Sequence, residues 1–433
     1  MIDEIIGIFV KITKIPHCSK ETEALREYIM EWSRSCGYET AVDAAGNVAA
    51  YCAKSRITLQ VHYDMVCVGR APDIEPVIED GWMKADGSSL GADNGIGVAI
   101  MLYLMQKGAK ADFLFTNDEE IGLIGANNLA LGIRTSNLLN LDSEEFGKIY
   151  IGCAGGEDLF LQCPLAFKEA PAGGVWYELL AHAPGGHSGV NIADGIPNAI
   201  TLLSKTIWEN QSAEICSLKG GERINAIPRL AEAVVVVPEG KELKISDMHI
   251  EYRKIDPLSE SVMERGRMVA ATLFGFAHGV RGWNRDLNTP QTSINLAMVD
   301  ADGKREGVKI SLSGRAMDNE DLGFLSEQTL AGFDALGFTG KKEGKYPAWK
   351  PEINAFSEKV RDVYEKFYPE VEYAAIHAGL ECAIFSAKFP TLKIASIGPT
   401  ILDPHSDRER VELASVESIT KVVEAIIADL SPI

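Results

Sequence analysis

Long apolar runs are missing from this chain. No stretch approaches the ~20 residues that a bilayer-spanning helix needs, and "AEAVVVVP" is far too short. The opening residues, "MIDEIIGIFVKITKI", carry acids at Asp3 and Glu4 and no clear cleavage site, unlike a signal peptide. Basic charge is scarce. Lys and Arg number 42 against 62 Asp and Glu, a formal net charge of −20. That balance argues against nucleic acid and anionic membranes as partners, because phosphate surfaces recruit basic patches. The eight cysteines are scattered with no CxxC pair, which removes zinc-ribbon and thioredoxin-type sites. In so long a chain they are expected to be reduced, mostly buried thiols of a cytoplasmic protein. Internal repeats and low-complexity tracts are also absent.

What is present is an ordinary globular balance: 433 residues, 46 % apolar and 24 % charged, enough for two domains. The first ~150 residues alternate strand-like and helix-like patterns, as βαβ units do. Strands are expected at "GNVAAYCA", "RITLQVHYD", "ADFLFTND" and "SNLLNLDSE". Helices are expected over 20–36 and 95–107, with a short one ending at Gly132. From about residue 157 the texture changes to strands, with helices near 195–210, 257–272 and 320–336, as in a separate α+β unit. "GKYPAWKP" then marks a boundary, after which helix and strand alternate again to a final helix over 413–430. The expected fold is α/β: a mostly parallel sheet with helices on both faces, interrupted by an inserted α+β lid. The parts are 1–156 and 344–433 for the catalytic domain and 157–343 for the lid.

Acids and histidines recur at the ends of the predicted strands. His62 and Asp64 follow the first, and period-two alternation puts them on one face. Asp118, Glu119 and Glu120 follow the second, Asp142 the third, and His405 comes shortly after the last. Asp93 stands in a Gly-rich loop before a helix. Parallel strands converge at their C-terminal ends, where ligands bind. Two imidazoles and several carboxylates make an N/O donor set typical of zinc and open to manganese or cobalt. Carboxylates crowded on one sheet edge repel one another, and two divalent cations relieve that. The adjacent Glu119 and Glu120 suggest one ligand and one free base. Each piece alone reads more simply as a solvated face or a structural histidine; the joint arrangement raises a metal site to an even contest. The glycines of "GADNGIG" lack GxGxxG spacing, so a nucleotide loop is the weaker reading.

The motifs "HYDMV", "LGADNGIG", "TNDEEIGLIGA", "LDSEEFGKIYIGCAGG", "GGHSGVNIADGIPNAI", "INAIP", "YPAWKP", "HAGLEC" and "GPTILDPHS" occur in order. Together they resemble the aminoacyl-histidine dipeptidases, the cytosolic non-specific dipeptidase group, within the two-zinc exopeptidases related to carboxypeptidase G, aminoacylase and peptidase T. The resemblance runs from about residue 10 to 425. It implies hydrolysis of Xaa-His and other unblocked dipeptides. It implies that His62 and Asp142 hold one zinc, Glu120 and His405 the other, and that Asp93 bridges them. Glu119 would be the general base and Asp64 the partner that orients His62. In the lid, His187 would meet the developing oxyanion, and Asn225 and Arg315 would hold the substrate, Arg315 by its carboxylate. His377 and Glu381 would line the pocket or brace their turn. A homodimer through the lid is implied as well.

Three departures stand out: Val61 where the family has glycine, Tyr63 where it has a small or aliphatic residue, and Ala383 where it has glycine. The chain is also shorter than is typical. Substrate range is what these differences touch. The rival readings are an aminoacylase or tripeptidase on the same metal site, and a non-catalytic binding protein on the same fold.

Overall fold

Strands Val48–Tyr51, Thr58–His62 and Asp112–Thr116 are buried along their whole length, the pattern of a sheet covered on both faces. The computed structural model, which describes residues 1–301 and 307–430, places them in an eight-stranded sheet. Its centre is parallel: Asp112–Thr116, Thr58–His62, Asn137–Asn140 and Lys393–Ser396 lie side by side in that order. The strands flanking this centre, Val48–Tyr51 and Lys148–Cys153, run antiparallel to it, so the sheet is mixed. Register pairs His62 with Thr116 and Gln60 with Asn140, so the four parallel strands end together on one edge.

Helix Ala92–Gln106 is apolar all round and buried on nearly every side, as a central helix must be. It packs with Ile2–Ile12 and Leu413–Leu430, whereas Ile124–Asn127 packs with Glu381–Lys388. The glycines before and within the central helix are there for close packing. A Cβ on Gly97 would lie 2.8 Å from Val61 and 2.1 Å from the Asn94 side chain. Gly91 has a positive φ of 70°, and a Cβ there would meet Met65 Sδ at 2.8 Å.

These elements belong to one compact unit, Met1–Cys153 with Pro351–Ala375 and Leu380–Ile433. A second unit comprises Ala154–Lys350 and Ile376–Gly379. It is built on a nine-stranded antiparallel sheet. Strand Leu230–Val237 alternates, sending Ala231, Ala233, Val235 and Val237 into a core shared with helices Ala199–Glu209 and Gly266–Gly275. Asn198 caps the first of these helices by accepting the N–H groups of Ile200 and Thr201.

Several expectations are corrected. The helix expected over 257–272 begins only at Gly266, because Ser261–Met263 pairs as a strand with Phe167–Glu169. The short helix expected to end at Gly132 is a single turn, Ile124–Asn127. The cysteines are not all free: Cys18 and Cys67, 49 residues apart, form a disulfide. Cys153, Cys163, Cys216 and Cys382 are buried thiols outside any disulfide, and Cys36 and Cys52 are partly exposed thiols outside any disulfide.

Candidate metal centre

The parallel strands deliver their acids and imidazoles to one edge. His62 is the last residue of its strand, and its Nε2 lies 3.1 Å from Asp93 Oδ1 and 3.2 Å from Asp142 Oδ1. His405 Nε2 lies 3.0 Å from Asp93 Oδ2 and 2.8 Å from Glu120 Oε1. Asp93 therefore turns one carboxylate oxygen to each imidazole. Its backbone, like that of Asn94, departs from helical angles, and the Asp93–Asn94 peptide is cis. Donor atoms of His62, Asp93 and Glu120 all lie within 4.8 Å of one another.

The donor set fits divalent cations. Glu120 Oε1 is buried and has no hydrogen-bond partner, although His405 Nε2 is 2.8 Å away. Two groups that approach closely without hydrogen-bond alignment suit co-ligands of one ion better than a donor and an acceptor. Protein groups alone balance the crowded charge by moving protons. Burial pushes the His405 imidazole down, but Asp93 and Glu120 outweigh it and raise it to about 11. Burial likewise opposes the His62 cation, and Asp142, Asp64 and Asp93 lift it well above its usual range. Burial and the charge of Asp93 push Glu120 up to about 7. Cations at this point would release those protons, because ligands bind deprotonated.

Asp64 and Glu119 stand beside this cluster. Asp64 is 1 % exposed. Its carboxylate accepts from Glu119 N–H (2.9 Å), Glu120 N–H (3.3 Å) and Ser19 Oγ (2.8 Å). His62 Nδ1 lies 3.0 Å from the Asp64 carbonyl and 3.5 Å from its carboxylate, so the carbonyl is the nearer anchor of the ring. The Glu119 carboxyl is raised well above its ordinary range, first by burial, with Glu120, Asp142 and Glu381 adding to the rise and His62 opposing it.

A polar layer lies beneath this cluster. Ser396 Oγ donates to Asn140 Oδ1 (2.5 Å), Asn140 Nδ2 to Gln60 Oε1 (2.7 Å), and Gln60 Nε2 to Glu381 Oε2 (2.6 Å). Thr116 Oγ1 donates to the same carboxyl oxygen at 2.6 Å. Gln60 and Asn140 each stand two residues before a side chain of the cluster, His62 and Asp142. Glu381 is fully buried here, and burial pushes it up to about 8.

Sequence reasoning missed other members. Asn94 Nδ2 donates to Asp142 at 2.6 Å. Glu409 accepts the N–H groups of Leu90, Gly91 and Asp93, fixing the loop that carries Asp93. Glu144, pushed up to about 8 by burial and by Asp93, is a further acid near the cluster. Its place in "LDSEE", two residues after Asp142, was the available signal; Glu409 had none. Val61 and Tyr63 prove to be core residues. Val61 packs near Gly97, and Tyr63 donates its hydroxyl to the Gly46 carbonyl.

The second unit gathers His187, Arg315 and His377 around Gly189. A Cβ there would meet the His377 carbonyl at 2.6 Å and Arg315 Cζ and His187 Cε1 at 3.2 Å each. His187 Nδ1 accepts from Gly189 and Val190 N–H, so its proton sits on Nε2. His377 Nε2 meets Ser293 Oγ at 2.7 Å, and burial and the Arg315 charge push the ring down to about 3, so it is neutral. Asn225 is exposed in a turn whose carbonyl receives Ser188 N–H.

Comparison with known proteins agrees with this chemistry. Residues 58–429 match the model of Peptidase family M20/M25/M40. The cytosol non-specific dipeptidase of Escherichia coli (strain K12) is 32 % identical, with 94 % of each chain covered. The crystal structure of aminoacylhistidine dipeptidase from Vibrio alginolyticus is 29 % identical with a TM-score of 0.82, over 98 % of this chain and 96 % of that one. A tripeptidase from Staphylococcus aureus, 15 % identical with a TM-score of 0.60 over 100 % and 99 %, shares the fold alone. Fold and site define a hydrolase of the metallopeptidase class. The chain belongs to Peptidase family M20/M25/M40.

Proposed function

We propose that this chain hydrolyses unblocked dipeptides, Xaa-His among them, using two divalent cations, with zinc first and manganese or cobalt as alternatives. The observation that carries the reading is Asp93, with one carboxylate oxygen toward His62 and the other toward His405. His62 and Asp142 would hold one ion, Glu120 and His405 the other, and Asp93 both. Bound there, the ions supply Lewis acidity toward a peptide carbonyl and make a water more acidic. Glu119, its proton affinity raised by burial, accepts a proton from the attacking water and returns it to the leaving amine. Asp64 keeps the Glu119 and Glu120 backbone and the His62 ring in place. His187 presents an Nε2–H to the developing oxyanion. Arg315, buried with its Nε unpartnered, suits a free carboxylate. The substrate-holding role of Asn225 in the lid and the pocket-lining role of His377 belong to the same proposal. Glu381 acts from below through Gln60 and Thr116.

A cytoplasmic homodimer joined through the second unit completes the proposal. The location is supported by the name of the Escherichia coli relative. No described helix is long and apolar enough to cross a membrane. The Cys18–Cys67 disulfide stands against a reducing compartment, and alkylation of thiols at lysis decides whether the pair is oxidised in the cell. Function is tested by relative kcat/KM on Xaa-His dipeptides, tripeptides and N-acyl amino acids, before and after chelation and with each metal restored. Preference for tripeptides or N-acyl amino acids would overturn the dipeptide reading. Silence on every substrate with no bound metal would favour a binding protein.

A further inference from the structure

Arg315, Gly156 and Tyr346 form one row across three neighbouring strands. Arg315 is in register with Gly156, and Gly156 with Tyr346. Directly opposed residues share a face, and the outer two strands of three stand about 10 Å apart. Two long side chains can span that distance only if the middle residue leaves the way clear. Gly156 does so: a Cβ there would lie 2.6 Å from Cε1, Cζ and Oη of Tyr346. A Cβ on Gly379 would press the ring's other edge, 3.0 Å from Cε2. The ring thus lies over the middle strand, seated by two glycines, and its hydroxyl accepts a hydrogen bond from Arg315 Nη1 at 2.7 Å.

The partner's chemistry matters. Arg315 is 7 % exposed, and its Nε has no hydrogen-bond partner. Among the described residues no carboxylate pairs with it; Asp158 feels its charge only at a distance. Its register neighbour on the other side, Ser293, is taken up by His377. A carboxylate in place of Tyr346 would neutralise the guanidinium. A phenol oxygen orients it and leaves its charge intact. With Nη1 engaged, the edge formed by Nε and Nη2 is the fork left for a bidentate anion.

We propose that Tyr346 is a positioning residue for substrate selection: seated by Gly156 and Gly379, it fixes Arg315 so that the Nε–Nη2 edge receives the free α-carboxylate of a peptide. This rests on the dipeptidase reading above. It gives a role to "CAGG", "YPAWKP" and the glycine of "HAGLEC", which the metal chemistry leaves unexplained.

The test uses the full-length, metal-loaded enzyme and matched dipeptides ending in a carboxylate or a carboxamide. Tyr346→Phe keeps the ring and removes the hydroxyl. KM for the acid is expected to rise about tenfold, the size of one hydrogen bond to a charged group, with kcat moving less than about twofold. KM for the amide should shift less than about twofold. Gly156→Ala, which displaces the ring but keeps the hydroxyl, should give the same selective rise and serves if Tyr346→Phe does not fold. Tyr346→Phe on an Arg315→Gln background should add nothing. Equal losses on acid and amide would mark a merely structural tyrosine and overturn the proposal. An acid-to-amide ratio that responds to Arg315→Gln but to neither Tyr346→Phe nor Gly156→Ala overturns it while leaving the dipeptidase reading intact. A ratio indifferent to Arg315→Gln, or a wild type that turns over no dipeptide, removes carboxylate recognition and the proposal with it.

Discussion

The first unit and the second unit solve opposite electrostatic problems. The first concentrates Asp64, Asp93, Glu119, Glu120, Asp142 and Glu144 near the imidazoles of His62 and His405, more negative charge than those two rings can balance. The second surrounds Arg315 with a phenol, a neutral imidazole and a serine, leaving a buried cation that no carboxylate pairs with among the described residues. Buried charge is costly unless it is paired. Each unit therefore points to what completes it: cations in one, an anion in the other. Neither arrangement is explained by folding stability.

That contrast is open to attack by mutation. Glu119→Gln should lower kcat about 10³-fold while elemental analysis still finds the metals, if the base is separate from the ligands as proposed; loss of metal instead would make Glu119 a ligand. Arg315→Gln should lower kcat/KM on acid-ending dipeptides about 100-fold and leave metal content alone. Gln60→Leu should weaken metal affinity about tenfold in a chelator competition, because supporting hydrogen bonds hold ligand-bearing strands in place; unaltered affinity would reduce the polar layer to a packing device. Chelation itself should speed hydrogen exchange at 117–123 and 403–406 and spare the strands Gly155–Cys163 and Val308–Ala316.

The smallest effect concerns acid. His278 in the second unit is held down to about 4 by burial, and its Nδ1 accepts the Leu296 N–H. Its folded value lies below that of the unfolded chain, about 6.5. The unfolded state therefore binds more protons between about pH 6.5 and 4, and stability falls as pH falls through that window. The loss is on the order of 1 kcal/mol once solvent screening is allowed for. His278→Gln should flatten it in a urea titration at pH 7 and pH 4.5.

Much of the first unit was legible. The β-rich segments "TLQVH" and "DFLFT" read as strands, and both lie buried along their length in the parallel centre of the sheet, where neighbours cover both faces. Period-two alternation then set His62 and Asp64 on one side. The site's outer supports were not legible. Glu409 contacts Asp93 from 316 residues away, and no local pattern marks a carboxylate that accepts backbone N–H groups. The helix expected over 257–272 failed for a tertiary reason: its first residues found a strand partner in Phe167–Glu169.

Residue types at strand ends, and their order along the chain, were enough to define an N/O donor set, a candidate base beside it and a family resemblance. Those are local properties of a polymer whose side-chain period follows its backbone. Three-dimensional packing alone settled which oxygen of Asp93 faces which imidazole, that Cys18 reaches Cys67, that Val61 and Tyr63 serve the core, and that Gly156 clears a path from Tyr346 to Arg315. Each of these depends on distances across neighbouring strands and loops. Such distances are set by register and close packing, which no single segment encodes.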